Sequence, residues 1–260
     1  MTRRPMMAAN WKMNKTVRQA QDYIAALIPY ADEAEGVAVA VFAPFTCLSE
    51  VARMAESSRI IPGAQNFFYE DSGAYTGEIS APMLLDLGVE AVIVGHSERR
   101  EIFGETDEAV ARKTARAISA GLLPVVCVGE TKEERDSGKM WEKVSGQVRR
   151  VVEELEDVRG DGIVFAYEPI WAIGTGDTAT PEDAQDAIGR IRGLLGELEG
   201  EEFAENVRIL YGGSIKPENA AEIMAQDDVD GGLVGGASLE VESFAKLIEA
   251  AAETIPSEGE

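Results

Sequence analysis

A chain of 260 residues with 47 acidic and 24 basic side chains carries a formal net charge of −23. That charge excludes attraction to nucleic acid or an anionic membrane by diffuse electrostatics, so an anionic ligand has to be captured by local geometry. The two cysteines, Cys47 and Cys127, lie in or beside apolar runs, which excludes a disulfide framework and suits a reducing compartment.

In chain order, the first apolar segment is PMMAANW (5–11), which runs into Asn10 and Lys12. VRQAQDYIAALI follows with helical spacing that places Val17, Ala20, Ile24 and Leu27 on one face. VAVAVFAP (37–44) and RIIPGAQ (59–65) come next, the latter ending in Gln65 and Asn66 and a long loop, NFFYEDSGAYTGEIS (66–80). The fourth apolar run, VEAVIVG (89–95), stops at His96, the only histidine, followed by Ser97, Glu98 and Arg99. DEAVARKTARAISAG then reads as a helix with a glycine stop. LLPVVCVG (122–129) leads into Glu130, and GIVFAYE (162–168) into Glu168 and the segment PIWAIGTG. TPEDAQDAIGRIRGLL carries a helix start signal, with Thr180 as N-cap, Pro181 at the first helical position and Asp183 three residues on from the cap. VRILYGG (207–213) precedes Ser214, VDGGLVGG (229–236) ends in Gly235 and Gly236, and the helical FAKLIEAAAE closes the series.

Each apolar run is too short for an ordinary helix and most are rich in Val and Ile, as strands buried on both faces are. Eight strand and helix alternations without a linker predict an α/β fold, a closed (β/α)8 barrel of eight parallel strands. A dinucleotide-binding sheet needs a glycine fingerprint after the first strand, where this chain has NWKMNK. Residues 1–260 therefore read as a single barrel domain, with 255–260 as a frayed tail. The N-terminal MTRRPMMAANWKM lacks a continuous apolar core and no stretch is long enough to span a bilayer, so the expected location is cytoplasmic.

In such a barrel the residues directly after each strand form the active-site rim. Here they supply a carboxamide (Asn10), an ammonium (Lys12), an imidazole (His96) and carboxylates (Glu98, Glu130, Glu168), an acid–base set without the ligands of a zinc site. By residue type alone each has an ordinary reading too: a hydrogen-bonded interface histidine, a surface lysine, a turn-forming asparagine.

The segments AANWKMN, VGHSERR, AYEPIWAIGTG, ILYGGSI and LVGGASL, in this order over about 230 residues, closely resemble the triosephosphate isomerase family. The acid–base pair and the lid of that family are themselves standard examples of environment-tuned catalysis and loop closure. The resemblance implies an aldose–ketose isomerase of glycolysis and gluconeogenesis, interconverting dihydroxyacetone phosphate and D-glyceraldehyde 3-phosphate through an enediolate without metal or cofactor. It implies Glu168 as base, His96 as electrophile, Lys12 as stabilising charge, Asn10 as a substrate-orienting group and Glu98 as the residue that holds Lys12. Gly174, Ser214, Gly235 and Gly236 would bind phosphate, together with Asn10 and Lys12 on the substrate. Pro169, Ile170, Trp171, Ala172, Ile173, Gly174, Thr175 and Gly176 would form a lid. The loop with Tyr75 and Thr76 would be the arm of a homodimer, although Phe67, Phe68 and Tyr69 could pack on their own chain. Arg192 and Asp230 match positions that pair as ions beneath the family's site. Gly232, where a bulkier residue often stands, is a departure. Two other readings remain: a Schiff-base phosphosugar aldolase on the same fold, and a non-catalytic phosphometabolite-binding protein.

Overall fold

The computed structural model describes residues 3–172 and 179–255. Eight strands, β1 (Met6–Asn10), β2 (Ala38–Ala43), β3 (Ile60–Ala64), β4 (Ala91–Val94), β5 (Leu123–Val128), β6 (Val164–Tyr167), β7 (Arg208–Tyr211) and β8 (Gly231–Val234), fall inside the eight predicted runs. They pair in parallel in sequence order, and β1 closes on β8 with Met6 opposite Gly231. This is the closed (β/α)8 barrel that the alternation predicts.

Helices cover the outside: α1 (Val17–Glu33), α2 (Phe45–Ala55), α3 (Ala81–Asp86), α4 (Ser97–Phe103), α5 (Asp107–Ala120), α6 (Lys132–Asp136), α7 (Met140–Val152), α8 (Pro181–Glu199), α9 (Glu201–Asn206), α10 (Ala220–Met224) and α11 (Val241–Ala252). Their starts are written locally. Thr180 accepts a hydrogen bond from the Asp183 amide while the Asp183 side chain takes the Thr180 amide, the reciprocal cap read from TPED. Thr16 and Gln19 repeat it at α1. On α1 the buried face is Ala20, Tyr23, Ile24, Leu27 and Ala31; Val17, at the first helical position, is exposed.

Side-chain alternation splits the core in two. Met6, Ala8, Ala40, Phe42, Ile93, Cys127, Ala166 and Leu210 fill the barrel lumen, and a larger layer including Val39, Val41, Val92, Phe165 and Ile209 packs against the helices. Burying each Val, Ile, Leu or Phe is worth about 1.5–3 kcal/mol, so this double layer fixes the strand ends against which the site is built. At the departure noted in β8, a Cβ on Gly232 would lie 2.5 Å from Ile215. The space of a bulkier residue is taken by that side chain.

Candidate active site

At the end of β4 the chain turns through Gly95, whose φ of 73° suits glycine and few others. His96 then caps α4: its Nδ1 accepts the Glu98 backbone N–H at 3.2 Å. An accepting Nδ1 assigns the ring proton to Nε2, so the imidazole is neutral in this arrangement. Nε2 lies 3.1 Å from Oε1 of Glu168, which follows β6. The Glu168 carboxylate also accepts the Ser97 amide at 2.8 Å and the Ser97 hydroxyl at 3.3 Å. Both His96 and Glu168 are buried. A Cβ on Gly212 would lie 2.9 Å from Glu168 Cγ, so glycine there leaves the carboxylate room to turn. Beneath it the Cys127 thiol is pushed well up by burial and by the Glu168 charge, and so stays a small neutral core group.

The loop after β1 is strained and braced. Asn10 Oδ1 accepts the Lys12 amide at 3.0 Å, and Lys12 holds φ at 52°. Gln65 donates to the carbonyls of Lys12 (2.9 Å) and Phe42 (3.0 Å), tying the loop to the next strand. Lys12 Nζ and Glu98 Oε1 are 2.7 Å apart and partly exposed, a contact that orients the ammonium more than it stabilises the fold. The position of a Cβ on Gly235 would be 3.7 Å from the same Nζ, so the ammonium and the glycines after β8 adjoin.

Asn10, Lys12, His96, Glu168, Ser214, Gly235 and Gly236 share one cavity of about 830 Å³ at the C-terminal mouth. Glu98 reaches it through Lys12. Of the segment expected to form a lid, Pro169 leads into a short 3-10 turn, Ile170–Ala172. The Trp171 indole donates to Glu130 at 2.8 Å, and the Tyr167 hydroxyl donates to the same oxygen at 3.0 Å. Burial raises the Glu130 pKa, against the lowering effect of those two donors. Ile173, Gly174, Thr175 and Gly176, and the tail from 256, lie outside the described residues.

In the loop after β3, Phe67 is fully buried and Phe68 stacks between Tyr69 and Tyr75 at centroid distances of 4.2 and 4.6 Å. The aromatic cluster therefore packs on its own chain, leaving Tyr75 and Thr76 exposed at the tip. Arg192 and Asp230 do pair, at 2.7 Å, just outside the N-terminal ends of β7 and β8 at the opposite mouth.

Ser97, Gln65 and Glu130 gain contacts that residue type did not assign. Their one signal in sequence was position, directly after a strand or after His96. Among the described residues no group of three or more His, Cys, Asp or Glu is arranged to hold a metal ion.

A closed barrel with a carboxylate against a neutral imidazole, and an ammonium in the same cavity, defines an acid–base enzyme of the (β/α)8 class. Residues 5–251 match the family model described as triosephosphate isomerase. A curated protein named triosephosphate isomerase from Rubrobacter xylanophilus is 79% identical over 250 residues, covering 96% of this chain and 98% of that one. Proteins of the same name from Moorella thermoacetica (53% over 246 residues, 95% of this chain and 98% of that one) and Chloroflexus aurantiacus (51% over 244 residues, 94% and 98%) are similar along equal lengths. The chain belongs to the triosephosphate isomerase family.

Proposed function

We propose that this chain interconverts dihydroxyacetone phosphate and D-glyceraldehyde 3-phosphate, as an isomerase of glycolysis and gluconeogenesis, by proton transfer through an enediolate. The observation that carries the mechanism is the pairing of Glu168 with the Nε2–H of His96 inside the cavity that also holds Lys12. A substrate carbonyl entering this space takes the Nε2 proton as its hydrogen bond, and Glu168, turned away from Ser97, removes a proton from the hydroxyl-bearing carbon beside it. The electron pair of that C–H bond forms the enediolate double bond, and charge gathers on the former carbonyl oxygen. His96 passes a proton to this oxygen and recovers one from its neighbour. Glu168 returns its proton to the second carbon. A neutral imidazole is a weak acid, close in strength to the enediol with which it exchanges protons, and such matching favours transfer in both directions. Lys12 stabilises the developing anion, Asn10 orients the substrate and Glu98 holds Lys12.

Phosphate is held by the backbone around Ser214, Gly235 and Gly236, with Gly174 closing from the lid; amides attract phosphate whatever the net charge of the surface. Closure of residues 169–176 keeps water from an intermediate prone to eliminate its phosphate. The aldolase reading needs a desolvated nucleophilic lysine, and Lys12 is paired with Glu98 instead. The binding-only reading has to explain an intact base and electrophile.

A homodimer fits the exposed apolar residues Met13, Phe45, Tyr75, Ile102 and Phe103, which follow the adjacent strands β1 to β4 at the same mouth. Thr76 would then complete the partner's site beside Asn10 and Lys12. A cytoplasmic location fits two free buried cysteines, and no helix among the described residues is long and apolar enough to cross a membrane. Residues 1–260 are read as one barrel domain. A coupled assay on purified protein, feeding product to an NADH-linked dehydrogenase, tests the reaction; no oxidation of NADH with D-glyceraldehyde 3-phosphate as the substrate sinks it. Sedimentation tests the shared site: Tyr75→Glu should yield monomers of low activity, and a fully active wild-type monomer excludes it.

A further inference from the structure

Among the described residues three non-glycine residues hold a left-handed φ, and two of them, Lys12 and Lys15 (φ 75°), sit in the short loop between β1 and α1. Lysine adopts that conformation rarely, so the surrounding contacts have to enforce it. They do so from three sides. The Lys15 carbonyl accepts the Cys47 thiol of α2 at 3.2 Å. Its ammonium lies over the ring of Tyr23 at 4.3 Å and near that of Trp11 at 5.3 Å, two rings that meet edge to face. The same ammonium donates to the Leu239 carbonyl at 2.8 Å, 224 residues away in sequence. Tyr23 adds a parallel link, donating its buried hydroxyl to the Ser238 carbonyl at 2.6 Å. Ser238 in turn donates to the carbonyls of Val234 and Gly235.

Leu239 and Ser238 close the turn that begins at Gly235 and Gly236. Lys15 therefore fastens the loop that carries Lys12 to the segment that carries the phosphate-binding glycines. We propose that Lys15 is a positioning residue, which fixes the spacing between the Lys12 ammonium and the amides of Gly235 and Gly236 and so sets the strength with which the substrate's phosphate is held. The inference rests on the reading of those glycines as the phosphate cradle. Burial lowers the Lys15 pKa and nearby Glu240 opposes that, as expected of an ammonium drawn in under two rings. Glu168 and His96 follow β6 and β4 and share no contact with Lys15, so the effect falls on binding more than on proton transfer.

The test uses three variants of the full chain, with inorganic phosphate as a competitive inhibitor. Lys15→Met keeps the stem and removes the donor; KM and the phosphate inhibition constant should both rise about tenfold, the scale of a sub-ångström misplacement, with kcat within twofold. Lys15→Arg keeps the charge, the ring contact and the donor, and should stay within twofold of wild type. Lys15→Gly removes the backbone strain; it should melt no lower than Lys15→Met and still show the weakened phosphate inhibition. Wild-type KM and phosphate inhibition in both the Met and Gly variants overturn the proposal, as does a loss confined to kcat. A wild-type enzyme that turns over substrate but is not inhibited by phosphate removes the cradle reading, and the inference with it.

Discussion

At the N-terminal mouth of the barrel the guanidinium of Arg192 makes five hydrogen bonds, to the carboxylates of Asp228 and Asp230 and to the carbonyls of Ala204, Val207 and Asp228. Asp230 also accepts the Ile209 amide at 2.8 Å and Arg3 Nε at 2.6 Å. At the C-terminal mouth the buried Glu168 is held by an amide, a hydroxyl and a neutral imidazole, with no cation on it among the described residues. One Glu130 oxygen collects three donors, from Tyr167, Trp171 and the Arg135 guanidinium at 3.4 Å, and the other has none among the described residues. Arg192 and Asp230 are saturated at the first mouth and have nowhere to go. The second holds Glu168 with contacts that a ligand can replace, as the movement proposed for it requires.

The sharpest way to break this contrast is to change one group at each end. Glu168→Gln keeps the shape and removes the proton acceptor; kcat should fall on the order of 10³-fold or more while the melting temperature barely moves. Retention of a tenth of wild-type kcat in the coupled assay ends the assignment. Arg192→Met should do the reverse, leaving two carboxylates without their shared cation and costing about 3 kcal/mol in urea unfolding, with kcat of the folded protein unchanged. A variant that unfolds normally but turns over slowly would erase the distinction between the two mouths.

Lys12→Met comes next in size. In the proposed mechanism its charge faces both phosphate and developing oxyanion, so KM should rise and kcat fall, each by about tenfold or more. Both staying within twofold would make Lys12 an ordinary rim residue.

The smallest effect concerns pH. Because burial raises the Glu130 pKa above its ordinary 4.5, the native state binds more protons than the unfolded chain between those two values. The contribution of this group to stability is therefore full below about 4.5 and is lost as pH rises through the folded value. Glu130→Gln lacks that slope, so the stability of the variant relative to wild type should climb with pH across the window. A difference that falls with pH would place Glu130 in a charge-stabilising network like that of Asp230.

What could be read from sequence divides along similar lines. The strands were legible because parallel strands buried on both faces leave short Val- and Ile-rich runs, and the Thr180 cap because its hydrogen bonds span only three residues. The cluster of Asn10, Lys12, His96, Glu168, Ser214, Gly235 and Gly236 was legible through motifs, each one directly after a strand. Ser97 on the Glu168 carboxylate, Gln65 across two carbonyls and Lys15 on Leu239 were not, since each depends on which way a side chain turns and on partners 23 to 224 residues distant. The burial of Phe67 and the exposure of Val17 are set by tertiary packing, which local spacing does not encode.

The cradle proposed for phosphate is built from backbone amides. A carboxylate or lysine surface ages with every codon that changes it, whereas an amide is present whichever side chain a residue bears. The phosphate binding proposed for the backbone of Gly235 and Gly236, with Lys12 inside the cavity, is compatible with an outer shell as acidic as this one, whose net charge is −23. The molecule's exterior can answer to its surroundings while its interior answers to chemistry.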